Sequence, residues 1–102
     1  MLKLKKPPRW SVYLLRCQDG SLYCGITTDL KRRVLQHNSG KGAKYIVPTR
    51  RPATCVWKKV MRDQSDALKL EHRIKKLGVE KKELLVEKGL KAVEKVRQRK
   101  PV

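Results

Sequence analysis

The feature that most constrains the fold is a hairpin signal near the start of the chain. Residues 10–17 are rich in Val, Tyr and Leu, residues 21–26 form a second strand-like run, and a turn sequence ending in Gly20 lies between them. A two-residue turn would place Tyr13 and Tyr23 on opposite faces of the hairpin, because side chains alternate along a strand. Gly20 suits the left-handed position of a three-residue bulge turn. We therefore predict that both tyrosines point to the same face.

The rest of the chain predicts one more strand and three helices. These elements are a helix over 30–37, a loop over 40–53, a strand over 54–60, a helix over 65–77 capped by Ser65 or Asp66, and a weaker helix over 80–96 interrupted by Gly89. The order ββαβαα in a chain of 102 residues predicts a single α+β domain. Its small, three-stranded, largely antiparallel sheet is flanked by helices.

Both ends of the chain are basic. We predict an extended basic arm over residues 1–9, the folded domain over 10–90 and a disordered basic tail over 91–102. The N-terminus lacks the apolar segment of a signal peptide, and no apolar run approaches the ~18 residues that a membrane span needs. We therefore expect a cytoplasmic protein with no membrane partner, whose three cysteines are reduced.

The charge points to a polyanionic partner. The chain has 27 Lys and Arg against 9 Asp and Glu, a net charge of +18. Nucleic acid is the favoured partner, because each phosphate that a cation neutralises releases condensed counterions. An anionic membrane surface and a solvated surface are the alternatives. Charge alone does not separate an enzyme from a binding protein.

Glu71 is an unusual acidic residue in this basic chain. On the predicted 65–77 helix it flanks the apolar stripe formed by Ala67, Leu70 and Ile74. A carboxylate there could hold Mg²⁺ or a similar hard cation, with substrate phosphates and water completing the coordination shell. The alternative is an ordinary ion pair with Lys75, four residues later on the same helix.

Two tyrosines and two residues of the first helix are the other candidates for chemistry. Tyr13 and Tyr23 either pack against each other across the hairpin or supply a phenol that accepts a proton from water. Arg33 follows closely after the second strand and could hold a phosphate. His37, one turn later, either relays a proton or hydrogen-bonds a phenol, or is an ordinary surface or capping histidine.

The 40–53 loop is the candidate nucleic-acid contact. It is basic, contains glycines that let the backbone approach phosphates, and carries one aromatic ring. Its candidate residues are Lys41, Lys44, Tyr45, Arg50 and Arg51. Tyr45 either stacks on a base or caps the core.

These residues resemble the GIY-YIG nuclease superfamily. Ser11-Val12-Tyr13 and Tyr23-Cys24-Gly25 are similar to its two eponymous tripeptides, Arg33 follows Gly25 by eight residues, and His37 follows four residues later. The segment 66–71, which ends in Glu71, is similar to the helix that presents the family's metal-binding glutamate. The resemblance covers residues 10–85 and is closest to the small, single-domain branch.

The resemblance implies an endonuclease that uses Mg²⁺ or Mn²⁺ on Glu71 to hydrolyse DNA, with branched, damaged or single-stranded DNA as candidate substrates. It implies that Tyr13 acts as a general base or orients water, and that Arg33 stabilises the charge that develops on the phosphate. Tyr23 and His37 would position substrate or assist proton transfer. Many members use an asparagine beyond the glutamate, whereas this chain has none there. A binding protein of the same fold with little or no catalysis is therefore the alternative.

Overall fold

The computed structural model describes residues 8–98 as one antiparallel sheet with helices on both faces. The strands are β1 (Trp10–Arg16), β2 (Leu22–Thr27) and β3 (Thr54–Met61); the helices are α1 (Leu30–Asn38), α2 (Gln64–Lys75), α3 (Val79–Lys88) and α4 (Leu90–Gln98), with a 3-10 turn at Pro48–Arg50. The strand order is β2-β1-β3, so β1 is central. The predicted α+β fold with a small antiparallel sheet is confirmed, and most strand and helix ends fall within one or two residues of those predicted.

The hairpin has the predicted three-residue loop. The backbone N–H of Cys17 donates to the carbonyl of Ser21 at 2.8 Å, which leaves residues 18–20 as the loop. Gly20 has a φ of +86°, the left-handed conformation that favours glycine. In this register Leu15 lies opposite Tyr23, so the side chains of Tyr13 and Tyr23 lie on one face of the sheet.

Each face of the sheet carries its own hydrophobic cluster. On one face, Val12, Leu14 and Cys24 pack with residues of α2, α3 and α4. On the other, Tyr13 and Leu15 pack with residues of α1 and of the loop that precedes β3. The tyrosine face is therefore covered by α1 and the basic loop, whereas α2 covers the opposite face.

Helix α2 begins earlier than its predicted start. The side chain of Asp63 caps it by accepting a hydrogen bond from the N–H of Asp66 at 2.9 Å, so the predicted cap at Ser65 or Asp66 is wrong. The carboxylate of Asp63 satisfies a free N–H of the first turn, which is the task of an N-cap residue. No helix within residues 8–98 is long and apolar enough to span a membrane.

The C-terminal region agrees with one prediction and differs from another. Gly89, with a φ of +89°, interrupts the predicted 80–96 helix as expected and divides it into α3 and α4. Helix α4 covers much of the segment predicted to be disordered, and its Val93 is only 3% exposed in the cluster that contains Ile74 and Leu85. The disorder prediction is thus wrong for residues 91–98, because burial of this apolar side chain outweighs the solubility of its basic neighbours. Residues 1–7 of the predicted arm and 99–102 of the predicted tail lie outside the described residues.

Candidate active site

Tyr13 is buried on the central strand, directly opposite Gly25 of β2. A Cβ atom placed on Gly25 would lie 2.5 Å from the Tyr13 hydroxyl oxygen and 2.7 Å from Cζ. No side chain fits in that space, so the ring of Tyr13 lies against the bare backbone of β2. The glycine of the second tripeptide is therefore needed for the placement of the tyrosine of the first.

His37 is completely buried and joins α1 to Tyr13. Its Nε2 atom is hydrogen-bonded to the Tyr13 hydroxyl at 2.9 Å, and its Nδ1 atom accepts the backbone N–H of Ala43 at 3.1 Å. Burial lowers the pKa of His37, and the positive charge of Arg33 lowers it further. The imidazole is therefore neutral at neutral pH. Because its side chain is buried and hydrogen-bonded on both nitrogens, His37 is not the surface histidine of the alternative prediction.

Three aromatic rings cluster at this position. The ring centroids of Tyr13 and Tyr23 are 6.5 Å apart, and Tyr23 packs on His37 with its ring tilted by 64° at 5.2 Å. These distances are typical of edge-to-face and tilted aromatic packing. The cluster confirms the prediction that both tyrosines lie on one face, and it brings His37 beside them.

Arg33 acts on the same cluster through its charge. Burial, followed by the neighbouring Tyr23, raises the pKa of Tyr13 to about 12, while Arg33 opposes that rise. In the structure the Arg33 Nη1 atom donates a hydrogen bond to the side-chain oxygen of Gln36 at 3.1 Å. Arg33 therefore lies where it can stabilise negative charge at the tyrosine, with its guanidinium partly held by its own helix.

Glu71 approaches from the other side of the sheet. Its side chain is 17% exposed, and its Oε2 atom lies 3.4 Å from Nζ of Lys75, so the ion pair weighed as the alternative is present. Burial raises the pKa of Tyr23, the charges of Lys75 and Arg33 lower it, and the charge of Glu71 raises it. Tyr23, on an edge strand, is thus within electrostatic range of both α1 and α2. Within residues 8–98 no hydrogen bond joins Glu71 to the four other candidates.

The donor set around Glu71 limits how a cation could bind. The described residues contain no group of three or more His, Cys, Asp or Glu side chains that could hold a metal ion. One carboxylate is nevertheless an oxygen ligand of the kind that Mg²⁺ and Mn²⁺ accept, and Mg²⁺ commonly retains several waters. Glu71 therefore fits as the single protein ligand of a divalent cation whose other ligands are water and phosphate oxygens.

The basic loop is held by its own aromatic and arginine side chains. The ring of Tyr45 stacks on Tyr23 with centroids 5.7 Å apart, and the guanidinium of Arg50 lies 4.1 Å from the Tyr45 centroid. Arg50 also forms an ion pair with Asp19 at 2.9 Å. One side of the Tyr45 ring is thus covered by Tyr23 and Arg50, while Tyr45 remains 38% exposed, so both alternatives, stacking on a base and capping the core, stay open.

The remaining candidates of the loop separate into two kinds. Arg51 donates a hydrogen bond to the carbonyl of Ile46 at 3.1 Å, and its guanidinium lies against Gly40. Lys41 and Lys44 are exposed. The two lysines are therefore the residues of this set whose side chains are most accessible to a nucleic-acid backbone.

The only asparagine of the chain is also engaged. The side chain of Asn38 donates to the carbonyl of Ala53 at 3.0 Å and accepts its N–H at 2.7 Å. This pair of hydrogen bonds fastens the end of α1 to the start of β3. Asn38 is thus a structural residue and does not replace the asparagine that many family members have beyond the glutamate.

Comparison with known proteins identifies the fold and its family. A sequence model of the GIY-YIG catalytic domain matches residues 9–83. The chain belongs to the GIY-YIG family. This GIY-YIG protein is 47% identical to a UPF0213 protein of Desulfotalea psychrophila over 84% of the present chain and 81% of the relative. It is 51% identical to a UPF0213 protein of Vibrio cholerae over 78% and 79% of the two chains.

Solved structures agree with this assignment. The NMR structure of a UPF0213 protein of Bacillus halodurans has a TM-score of 0.52 at 38% identity and covers 91% of this chain and 99% of that one. The NMR structure of an E. faecalis protein has a TM-score of 0.55 at 32% identity and covers 97% of each chain. This GIY-YIG domain is therefore of the small, stand-alone kind found in UPF0213 proteins, in a family of nucleases that act on nucleic acid.

Several residues of the site were not predicted from the sequence. They take part in contacts between residues that are not adjacent in the sequence. These contacts comprise the contact of Gly42 with His37, the hydrogen bond from the N–H of Ala43, the ion pair of Asp19 with Arg50 and the charge of Lys75 near Tyr23. Gly42 was the sequence feature that could have indicated the contact with His37. A glycine in a basic loop can mark close approach to a phosphate, but here Gly42 allows close approach to a side chain.

Proposed function

We propose that this GIY-YIG protein is a divalent-metal-dependent endonuclease that hydrolyses phosphodiester bonds in DNA. The observation that carries the proposal is the buried hydrogen bond between Tyr13 and His37, formed beside Tyr23 and within range of the charge of Arg33. A protein that only bound nucleic acid would have no need to bury a histidine against a phenol. Branched, damaged and single-stranded DNA are the candidate substrates.

In this proposal Tyr13 handles the proton of the attacking water. With its pKa raised to about 12, the free phenol is protonated at neutral pH. The phenol therefore orients water, and it could accept a proton from that water only after its own proton has left to solvent, a loss that nearby positive charge favours. Arg33 supplies such charge and would also stabilise the charge that develops on the phosphorus.

Glu71 would hold the divalent cation, Mg²⁺ or Mn²⁺. When bound, such an ion polarises a phosphate oxygen and stabilises the leaving 3′ oxygen. The ammonium of Lys75 lies 3.4 Å from Oε2 of Glu71, so a cation would bind through Oε1 or displace Lys75 from Oε2. Tyr23 lies in range of both charges and would position the substrate between α1 and α2.

Binding of DNA would rest on electrostatics. The net charge of +18 favours a polyanion, and the exposed Lys41 and Lys44 are the side chains of the basic loop best able to contact its phosphates. Such contacts position the backbone and carry little sequence information. Specificity would therefore arise from the shape of the DNA or from a protein partner.

A nicking assay tests the proposal. Supercoiled plasmid and a branched DNA are incubated with Mg²⁺, with Mn²⁺ or with EDTA, using the wild type, Glu71→Gln, Arg33→Ala and Tyr13→Phe. Arg32→Ala is the matched control, because Arg32 is the exposed neighbour of Arg33. We expect metal-dependent cutting that falls by about 100-fold or more in the three site variants and little in the control.

The alternative function is a nucleic-acid-binding protein with little or no catalysis. The Glu71–Lys75 ion pair and the absence of an asparagine beyond Glu71 in the sequence favour it, because both reduce the ligands offered to a metal. Salt-sensitive DNA binding with no cutting under any metal would establish this alternative and refute the nuclease proposal. Equal cutting by all five proteins would also refute it, since the activity would then belong to a contaminant.

A further inference from the structure

We infer that the basic loop, through the N–H of Ala43 and the absence of a side chain on Gly42, fixes His37 as a hydrogen-bond donor to Tyr13. His37 is then a positioning residue that stabilises and orients the phenol and does not take its proton. The catalytic role of His37 in this inference rests on the proposed nuclease function. Its structural content, the position of one proton on His37, can be tested without activity.

The position of the proton follows from the two partners of the imidazole. A backbone N–H can only donate, so Nδ1 of His37, which lies 3.1 Å from the nitrogen of Ala43, must be the unprotonated acceptor. In a neutral imidazole the proton is then on Nε2. Nε2 lies 2.9 Å from the Tyr13 oxygen, so His37 donates to that oxygen.

This arrangement decides what His37 can do. Since Nε2 already carries a proton, it cannot accept the proton of Tyr13. The Tyr13 oxygen accepts from His37, so its own hydrogen points away from the imidazole and is available to a different acceptor. A hydrogen bond donated to the phenol oxygen favours the phenolate. His37 thereby assists Tyr13 without exchanging a proton with it.

Gly42 makes the contact with Ala43 possible. A Cβ on Gly42 would fall on the imidazole at Nδ1 and would lie 2.7 Å from Cα of His37 and 2.8 Å from Cγ. Glycine thus brings the loop backbone close enough for the next N–H to reach the ring. The neighbouring N–H of Lys41 also donates to the carbonyl of Gln36 at 2.9 Å, which fastens the same segment to α1.

The loop therefore links two tasks. Lys41 and Lys44, the side chains proposed to contact DNA, flank the two residues that set the proton of His37. A displacement of this segment would withdraw the Ala43 N–H, free Nδ1 and allow the imidazole to change tautomer. Correct placement of the loop is then a condition for a correctly oriented Tyr13.

Nitrogen NMR of the intact protein tests the inference. The chain has two histidines, so the ring signals of His37 and of the exposed His72 can be assigned by substitution of His72. We expect His37 to show a protonated Nε2 and an unprotonated, hydrogen-bonded Nδ1 at neutral pH. A proton on Nδ1, or a doubly protonated ring, would overturn the inference.

Two substitutions at one position test the role of the loop. Ala43→Pro removes the N–H, whereas Ala43→Ser keeps it and serves as the control. With folding verified from the amide spectrum, we expect the Nδ1 signal of His37 to change in the proline variant only. An unchanged signal in that variant would show that the loop does not fix the tautomer. Gly42→Ala, which displaces the same segment by crowding, provides a second variant with the same expected result.

Cleavage assays then separate donation from proton transfer. His37→Gln retains an amide donor that can reach the Nε2 position, whereas His37→Ala has none. If His37 only donates, the glutamine variant should cut within about tenfold of the wild type and faster than the alanine variant. Glutamine and alanine variants that are equally impaired, by about 100-fold or more, would identify proton transfer instead. A wild type that never cuts would refute the proposed nuclease, while the NMR result would still decide the tautomer.

Discussion

The hydroxyl of Tyr13 lies over the backbone of Gly25, its partner across the hairpin, with no space for a side chain between them. The pair connects the two family tripeptides physically. The tyrosine of the first can reach His37 only because the second ends in glycine. This steric relationship gives the first prediction.

Replacing Gly25 with alanine should displace the Tyr13 ring and lengthen its hydrogen bond to His37. We expect a loss of about 1–3 kcal/mol in the free energy of unfolding, because the added methyl group overpacks a buried contact. Cleavage should fall by at least about tenfold. Urea unfolding and the plasmid assay measure the two effects. Gly78→Ala is the control, since a Cβ there meets no atom within 4 Å; equal losses in both variants would contradict the steric explanation.

Removing the exposed lysines should weaken DNA binding in a salt-dependent way. The double variant Lys41→Ala, Lys44→Ala should reduce the slope of log K against log salt by about 2, since each phosphate contact contributes about 0.9. Binding titrations at several salt concentrations measure the slope. Arg50→Ala should change the slope less but lower stability, because Arg50 is already paired with Asp19 and Tyr45. A larger slope change for Arg50→Ala would reverse our assignment.

Tyr13 should make the protein sensitive to alkali. Burial raises its pKa from 10.0 to about 12, so the folded state holds the proton more tightly than the unfolded chain. The corresponding stability is intact below about pH 10 and is lost as the pH approaches about 12.

Between about pH 9 and pH 11, the wild type should therefore lose about 1 kcal/mol of unfolding free energy relative to Tyr13→Phe. Comparing the two proteins removes the contribution of lysines that titrate in the same range. Urea unfolding at each pH, with tyrosine ionisation followed by absorbance, provides the measurement. Parallel pH curves for the two proteins would show that Tyr13 ionises normally.

Helix α4 should contribute to stability despite its basic sequence. Val93→Ala removes methyl groups that are 3% exposed beside Ile74 and Leu85 and should cost about 1–3 kcal/mol. Lys91→Ala, at an exposed position of the same helix, should change stability by no more than about 0.5 kcal/mol. Thermal unfolding checks both. A neutral Val93→Ala variant would mean that α4 is not part of the cooperative unit.

The hairpin was predictable because its determinants are local. Gly20 fixes the loop length, the loop length fixes the register, and the register places Tyr13 and Tyr23 on one face. The same applies to Gly89, whose break of the last helix is a property of a single residue. Such features need no knowledge of the rest of the fold.

The features that were missed depend on distant residues. Arg50 and Lys44 are both basic residues of the same loop. Arg50 has a structural role because it lies within ion-pair distance of Asp19, and the sequence does not show that distance. The segment after Gly89 is polar and basic, yet the position of α2 gives Val93 a place to bury. The order of residues in the hairpin predicted a shared face for Tyr13 and Tyr23, which the structure shows with His37 beside them, whereas the contact of Gly42 with His37 depends on how the loop folds.

The candidate site divides between two hydrophobic clusters that a single layer of backbone separates. Tyr13, His37 and Arg33 depend on one cluster, and Glu71 depends on the other. The position of Glu71 relative to Tyr13, His37 and Arg33 thus depends on the twist of the three strands and on how α1 and α2 pack on opposite faces of the sheet. We accordingly expect changes in cleavage to arise from conservative substitutions deep in either cluster, at positions that touch neither the carboxylate nor the phenols.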